Sequence, residues 1–189
     1  PEHRWGIFPS VALGWKIITM PFMEKAKEDM NEFKLRLGWG ITGQQAVGGY
    51  FPYIPVYTQS NPSVQYPSPD GVTAGWINPL YPNAYNEEIK WEETTTWNVG
   101  LDMGWWNNRL TVALDWYLRD TKDLLAYVPV PAGMTTTNYM DRNIGELRNI
   151  GVEATIGARV IDTDDFIWTT SYNVAWNKNK ITRLTNDDE

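Results

Sequence analysis

Residues 97–118 constrain the fold more than any other part of the chain. Both arms of this segment alternate large apolar side chains with small or polar ones, the period-2 pattern of a strand with two unlike faces. If Asn107 and Asn108 form a two-residue turn, Trp105 lies opposite Leu110 and all the large apolar side chains share one face. The other pairs in this register are Met103 with Val112, Leu101 with Leu114, and Trp97 with Leu118. A one-residue slip would move the whole set to the other face. An apolar face of this length, with small or polar residues behind it, is typical of a strand between lipid and water and indicates an outer-membrane barrel.

Four further segments carry the same alternation, so the chain is predicted to contain about six antiparallel strands. They span about residues 5–17, 33–42, 90–105, 110–118, 145–160 and 166–177. A short helical turn is expected at residues 20–31, where Pro21 starts a segment with several Glu and Lys. The predicted fold class is all-β: six meander strands of a larger antiparallel transmembrane β-barrel.

The connections between these strands alternate in length. Residues 18–32, 106–109 and 161–165 lie at one end, and the longer stretches 43–88 and 122–143 lie at the other. Bacterial outer-membrane barrels have short periplasmic turns and long extracellular loops. We therefore expect the turn at Asn107 and Asn108 in the periplasm and both long loops outside the cell.

Six strands are too few to close a membrane barrel, for which about eight is the usual minimum. An open edge in hydrocarbon would leave backbone groups unpaired at several kcal/mol each. We therefore expect residues 1–189 to form part of one larger barrel domain, with further strands before Pro1, after Glu189 or both. No apolar run reaches the roughly 18 residues of a spanning helix, so the membrane prediction depends on strands, whose apolar face would contact lipid.

Composition argues against several classes of function. The net charge is −7 and the basic residues are dispersed, so no nucleic-acid partner is expected. The only histidine is His3, cysteine is absent and no serine lies in a nucleophile-elbow setting, so neither an enzyme nor a catalytic residue is expected. The acidic turn at residues 162–165 lacks the glycine and distal glutamate of an EF-hand loop. We assign no metal and no cofactor.

Two sets of residues are candidates for contact with a solute. Residues on the polar faces of the strands would line the lumen, where they contact a solute or an internal domain, or else only pair with one another in water. The candidates are Lys34, Arg36, Asp102, Asp115, Tyr117, Arg119, Glu153 and Arg159. Aromatic residues of the first long loop would stack on sugar rings or grip a partner protein, or else pack within the loop. The candidates there are Tyr50, Tyr53, Tyr57, Trp76 and Tyr81.

Two other architectures fit part of this pattern. A soluble β-sandwich that binds carbohydrate also has tryptophan-rich strands and aromatic loops, but its strands are usually about 5 to 6 residues long. The alternation here continues for about 10 to 12 residues, the length of a membrane-spanning strand. A passive porin is the third possibility, and only an upstream plug would distinguish it from a gated transporter.

Short runs in a fixed order also connect the chain to a known family. The runs lie at residues 4–10, 13–17, 35–43, 90–92, 98–102, 108–110, 115–117, 122–125, 128–133, 143–146 and 151–153. In their order and spacing they resemble the barrel of the SusC-like TonB-dependent transporters of the Bacteroidetes, the RagA/SusC family. The resemblance covers nearly the whole chain apart from residues 44–88.

The resemblance implies a barrel of about 22 strands in the cell outer membrane, with its lumen closed by an N-terminal plug. It also implies a SusD-like surface lipoprotein outside the cell and a TonB complex acting from the periplasm. The expected function is import of large solutes such as oligosaccharides or peptides, without covalent chemistry. This sequence contains neither the plug nor the TonB box, so no plug-borne contact is assigned to its residues.

Overall fold

The computed structural model describes residues 5–44, 53–59, 66–67, 76–77, 80–131 and 137–184. Twelve strands are assigned in chain order within these ranges. They are β1 (Ser10–Lys16), β2 (Met30–Gln44), β3 (Tyr57–Gln59), β4 (Tyr66–Pro67), β5 (Trp76–Ile77), β6 (Leu80–Pro82), β7 (Glu92–Trp105), β8 (Leu110–Lys122), β9 (Leu125–Pro129), β10 (Tyr139–Asn143), β11 (Glu146–Asp162) and β12 (Ile167–Arg183). Three 3-10 helices, Ile17–Thr19, Pro21–Met23 and Ala26–Glu28, follow β1. No helix in the described part of the chain is long and apolar enough to cross a membrane.

Six of these strands form one antiparallel sheet in the order β1-β2-β7-β8-β11-β12. Each strand of this sheet pairs with the one that precedes or follows it among the six, so the sheet is the predicted meander. Strands β2, β7, β8, β11 and β12 contain 13 to 17 residues. A strand of about 9 to 11 residues spans the hydrocarbon core, so these five extend beyond it.

The hairpin between β7 and β8 has the predicted register. Its pairs are Trp105–Leu110, Met103–Val112, Leu101–Leu114 and Trp97–Leu118. Asn107 and Asn108 have φ angles of 56° and 60°, and the N–H of Arg109 donates to the carbonyl of Trp106 at 3.2 Å. Positive φ at both central residues defines a type I′ turn, and asparagine tolerates that conformation better than most residues.

Strand boundaries differ from the prediction at both edges of the sheet. Strand β1 begins at Ser10 rather than at residue 5, and β12 continues to Arg183 rather than ending at residue 177. Asparagine and lysine fill residues 177–180, so no apolar alternation marks this part of β12. Backbone pairing with β11 holds it in the sheet instead. The helical segment predicted at residues 20–31 contains two of the three 3-10 helices.

The sheet has one apolar face and one polar face along its whole width. One row on the apolar face consists of Leu13, Leu37, Val99, Trp116, Val152 and Trp176. The parallel row on the other face consists of Gly14, Arg36, Gly100, Asp115, Glu153 and Ala175. Cross-strand partners project to the same side of a sheet, so the apolar side chains of all six strands lie on one side.

No second layer covers the apolar face within the described residues. The one buried hydrophobic side chain among them is Ile89, whereas Trp97 and Trp176 are 52% and 59% exposed. A β-sandwich would bury these side chains between two sheets about 10 Å apart. The described residues therefore form the predicted single sheet with two unlike faces and not the packed pair of sheets of a sandwich, and these six strands do not close into a barrel.

Smaller sheets lie in the two long connections at one end of the main sheet. Strands β3 and β6 pair with each other, as do β4 and β5, and all four lie between β2 and β7. Strands β9 and β10 form a hairpin between β8 and β11. The sequence prediction treated both connections as loops and missed these three pairs.

Candidate functional site

A cluster of three charged side chains lies near the middle of the polar face. Arg36 of β2 donates from Nε and Nη2 to the carboxylate of Asp102 on β7, both at 2.8 Å. The same Nη2 donates to Asp115 of β8 at 3.0 Å. The Arg36 side chain is only 34% exposed, although the face is open. One guanidinium therefore joins three neighbouring strands. The sequence placed Arg36, Asp102 and Asp115 on the same face but did not predict that they contact one another.

A glycine makes this cluster possible. Gly100 is the cross-strand partner of both Arg36 and Asp115, and it is buried beneath their side chains. A Cβ at this position would lie 2.6 Å from Oδ1 of Asp115 and 2.7 Å from Cζ of Arg36. Any larger residue would displace one of the charged groups, because real Cβ atoms do not approach so closely.

Further charges surround the cluster on the same face. Lys34 lies opposite Asp102, and Glu153 lies opposite Asp115. Lys16, which sequence analysis did not select, lies opposite Lys34 on β1. We call these six residues the wall patch: Lys16, Lys34, Arg36, Asp102, Asp115 and Glu153. Its charges balance, but Lys16, Lys34 and Glu153 form no ion pair within the described residues.

Tyr117 and Arg119 lie further along β8, away from the short β7–β8 turn. The guanidinium carbon of Arg119 is 4.9 Å from the centre of the Tyr117 ring, a cation–π distance. The Tyr117 ring lies over Gly151 of β11, where a Cβ would be 2.5 Å from the ring. The two side chains thus form a flat amphipathic surface beside the wall patch.

Arg159 does not join this group. It lies on the same face near the short-turn end of β11, where Nη1 contacts Oδ2 of Asp162 at 3.0 Å. The acidic turn itself is closed by Thr163, whose N–H and hydroxyl both donate to the carbonyl of Phe166 at 3.0 and 2.9 Å. Among the described residues, no group of three His, Cys, Asp or Glu side chains is placed to hold a metal ion.

At the end of the sheet that carries the long connections, Asn143 joins the β2–β7 connection to the β8–β11 connection. Its Nδ2 donates to the carbonyls of Lys90 and Asp123 at 2.9 and 2.8 Å, and its Oδ1 accepts from the N–H of Lys90 at 2.8 Å. Nearby, the carboxylate of Glu92 accepts from the N–H of Leu125 at 2.9 Å. We call this set the loop clamp: Lys90, Glu92, Asp123, Leu125 and Asn143.

Two backbone conformations shape the loop clamp. Asp123 has a φ of 54°, which turns its carbonyl toward Asn143 after β8 ends. Gly145 has a φ of 99°, which favours glycine, and lies between β10 and β11. In the sequence both segments are recognisable only as runs shared with a family, because the contacts of the loop clamp join residues 20 to 53 positions apart.

The aromatic candidates of the first long connection are not gathered in one place. Tyr50 lies outside the described residues, and Trp76 lies on the separate β4–β5 pair. Tyr57 and Tyr81 lie on β3 and β6 in adjacent cross-strand pairs, so they project to opposite faces, and Tyr53 precedes β3. An aromatic pair that sequence analysis missed lies on the β9–β10 hairpin. Its members, Tyr127 and Tyr139, stack with ring centres 5.2 Å apart, and both are exposed.

Comparison with known proteins identifies the origin of this two-faced sheet. Residues 2–189 match the family described as TonB dependent receptor-like, beta-barrel. The chain belongs to this family. It is 48% identical over 188 residues to the TonB-dependent receptor SusC of Bacteroides thetaiotaomicron, covering 100% of the chain and 18% of SusC. It is 37% identical to the TonB-dependent receptor P39 of Formosa agariphila, covering 99% of the chain and 17% of P39.

Solved structures show the same relationship. The structure of the RagAB peptide transporter matches with a TM-score of 0.80 and 26% identity, covering 98% of this chain and 19% of the RagAB chain. The chain therefore spans about a fifth of the length of its relatives. The predicted SusC-like resemblance, all-β barrel class and outer-membrane location are confirmed. The relatives are receptors and transporters rather than enzymes.

Proposed function

We propose that this chain forms part of the barrel wall of a TonB-dependent transporter that imports large solutes across the outer membrane. The observation that carries the proposal is the six-stranded sheet with an exposed apolar face and a charged opposite face. Lipid stabilises the first face, and water, a solute or an internal domain contacts the second. Membership in the TonB-dependent receptor family favours a gated transporter over a passive porin.

We propose that the loop clamp lies outside the cell and the type I′ turn at Asn107 and Asn108 lies in the periplasm. The connections β7–β8 and β11–β12 are short, whereas those containing β3 to β6 and β9 to β10 are long. This asymmetry is the one that bacterial outer-membrane barrels share. The predicted extracellular loops at residues 43–88 and 122–143 follow from this orientation.

In this orientation the wall patch faces the lumen. Arg36 is hydrogen-bonded to both Asp102 and Asp115, and one net negative charge remains on these three side chains. The groups without an ion pair that remain for a solute or a plug are Lys16, Lys34, Glu153 and the Tyr117 surface. Lysine and glutamate donate and accept hydrogen bonds, and tyrosine adds a face for stacking. These chemistries suit oligosaccharides and peptides, which carry many polar groups. Arg119 and Arg159 complete the proposed lumen set.

The proposed mechanism has three steps in the full-length protein. The solute is captured at the extracellular loops, where Tyr50, Tyr53, Tyr57, Trp76 and Tyr81 are the recognition candidates. A TonB complex then displaces a plug, and the solute passes along the wall. A SusD-like surface lipoprotein is the proposed partner outside the cell, because the resemblance to SusC-like transporters implies one and the chain is 48% identical to SusC.

Uptake by living cells tests this function. A strain that lacks the full-length gene is grown on single oligosaccharides or on peptides as the limiting nutrient, and the gene is then restored. We expect one class of nutrient to support growth only with the gene present, and only when TonB is also present. Growth that requires the gene but not TonB would identify a passive porin, and unchanged growth on every nutrient would refute import of these solutes.

A further inference from the structure

A buried polar atom on the polar face lacks a hydrogen-bond partner. It is Oδ1 of Asn149 on β11, the one buried side-chain nitrogen or oxygen without a partner in the described part of the chain. Buried carbonyl oxygens normally accept a hydrogen bond, because an unpaired acceptor has lost its bonds to water and gained none. An orphaned oxygen of this kind indicates a partner that occupies the place only part of the time.

The orphaned oxygen does not lie at an edge of the sheet. At this level β11 pairs with β8 on one side and with β12 on the other, so that Asn149 lies opposite both Arg119 and Asn179. Side chains of the described sheet close Oδ1 off from solvent. A solute or an internal domain in the lumen therefore cannot reach this oxygen unless a neighbouring side chain moves first.

Arg119 is a strong donor directly opposite this oxygen, but its guanidinium contacts another group. Residues directly opposite each other in antiparallel strands have Cβ atoms about 5 Å apart, so an arginine side chain is long enough to reach Asn149. Instead, the guanidinium carbon lies 4.9 Å from the centre of the Tyr117 ring. Arg119 forms no ion pair within the described residues, and its other cross-strand partner is the uncharged Thr96. The guanidinium thus has two alternative partners, of which it uses one.

The two alternatives for the guanidinium are balanced against each other. A cation–π contact at an exposed site is weak, and Arg119 is exposed. A hydrogen bond from a charged donor to a buried acceptor is stronger, but part of the guanidinium must lose water to make it. Because the stronger contact carries the larger desolvation cost, we expect both positions to be populated.

We propose that Arg119 moves between these two positions and acts as a cover for the Tyr117 ring. In the observed position the guanidinium lies over the ring, whose hydroxyl end lies over Gly151. In the second position the guanidinium donates to Oδ1 of Asn149 and leaves the ring open to the lumen. Uncovering the ring costs little, because Asn149 replaces the contact that Arg119 loses. The use of the open ring by a solute rests on the proposed transport function, whereas the movement itself does not.

Fluorine NMR of the full-length protein in detergent tests this movement. A 3-fluorotyrosine placed at residue 117 reports whether a cation lies over the ring, and Arg119→Gln gives the chemical shift of the uncovered ring. In the unsubstituted protein we expect exchange between two states, with a minor population on the order of 1 to 10% whose shift matches that of Arg119→Gln. Asn149→Asp should make the uncovered state the major one, because a carboxylate binds the guanidinium more strongly than an amide does.

Two leucine variants on opposite sides of the same pairing complete the test. Asn149→Leu removes the acceptor, so it should abolish the exchange and leave the ring covered. Asn179→Leu is the matched control, because Asn179 lies opposite Asn149 but does not pair with Arg119, and it should leave the exchange unchanged. A single state in the unsubstituted protein, or a covered ring in Asn149→Asp, would overturn the proposal. Exchange that persists in Asn149→Leu, or that both leucine variants abolish equally, would also overturn it.

Failure of the transport proposal gives a different result. If the protein imports nothing in the growth assay, the exchange at Tyr117 is still expected, because it requires no solute. If the exchange is absent, Arg119 is a fixed part of the wall, and growth that depends on the gene and on TonB would still support import. The two readouts therefore separate the two proposals.

Discussion

Removal of the Arg36 guanidinium tests the role of the cluster in the wall patch. Arg36→Gln breaks three charge-assisted hydrogen bonds, two to Asp102 and one to Asp115. Such bonds contribute about 1.5 to 3 kcal/mol each when they are well buried. The three side chains are 34%, 26% and 25% exposed, so solvent screening reduces the value toward that of surface pairs. We expect a loss of about 2 kcal/mol, larger than that of an ordinary surface substitution.

The assay is heat-induced unfolding of the full-length barrel in detergent, followed by the change in gel mobility between folded and unfolded forms. Lys34→Gln is the matched control, because Lys34 lies on the same strand and face but forms no ion pair within the described residues. A double-mutant cycle between Arg36→Gln and Asp102→Asn isolates their coupling, which we expect to be about 1 kcal/mol or more. If Arg36→Gln unfolds at the same temperature as Lys34→Gln, the cluster does not stabilise the wall and the reasoning is wrong.

Three further predictions concern the two ends of the sheet. Asn143→Ala should increase hydrogen exchange at residues 84–91 and also at residues 125–131 and 137–143, because one side chain holds both connections; unchanged exchange in either connection would contradict the loop clamp. Asn108→Val should lower the unfolding temperature and Asn108→Gly should not, because a β-branched residue disfavours a φ of 60°. Tyr127→Cys should react with a membrane-impermeant maleimide on intact cells and Asn107→Cys should not, and the reverse pattern would overturn the proposed orientation.

The long strands were predictable because one local rule determines them. In the segment at residues 97–118, alternation defines the two faces and the adjacent asparagines define the turn, so only one register satisfies both. The pairing of Trp105 with Leu110 can therefore be predicted from this segment alone. The same rule fails for residues 177–183 of β12, where the side chains on both faces are mostly polar and only the neighbouring strand determines the conformation.

The contacts of the candidate site were not predictable in the same way. Arg36 and Asp115 are 79 residues apart and lie on strands that are separated by β7. Their contact depends on two successive registers and on a glycine between them, whereas sequence analysis determined the register of one hairpin. Asn143 and Lys90 are 53 residues apart, and the same Asn143 amide also donates to the carbonyl of Asp123, whose φ is 54°.

Some long polar side chains on the polar face lie over a glycine of the neighbouring strand. Such side chains pack against the wall, whereas others can reach a solute. Gly100 lies beneath Arg36, and Gly151 lies beneath Tyr117, so both long side chains lie flat against the wall. A side chain held flat in this way pairs with its neighbours and projects less into the lumen. Glu153 lies on the same face without such a glycine contact or an ion pair in the described residues, so its carboxylate can extend toward a solute. Lys34 also forms no ion pair there, but its side chain lies over Gly14, where a Cβ would be 3.4 Å from its Cε. The sequence left two roles open for the lumen residues, pairing with one another and contact with a solute. Arg36 pairs with its neighbours, and we propose contact with a solute for Lys34 and Glu153.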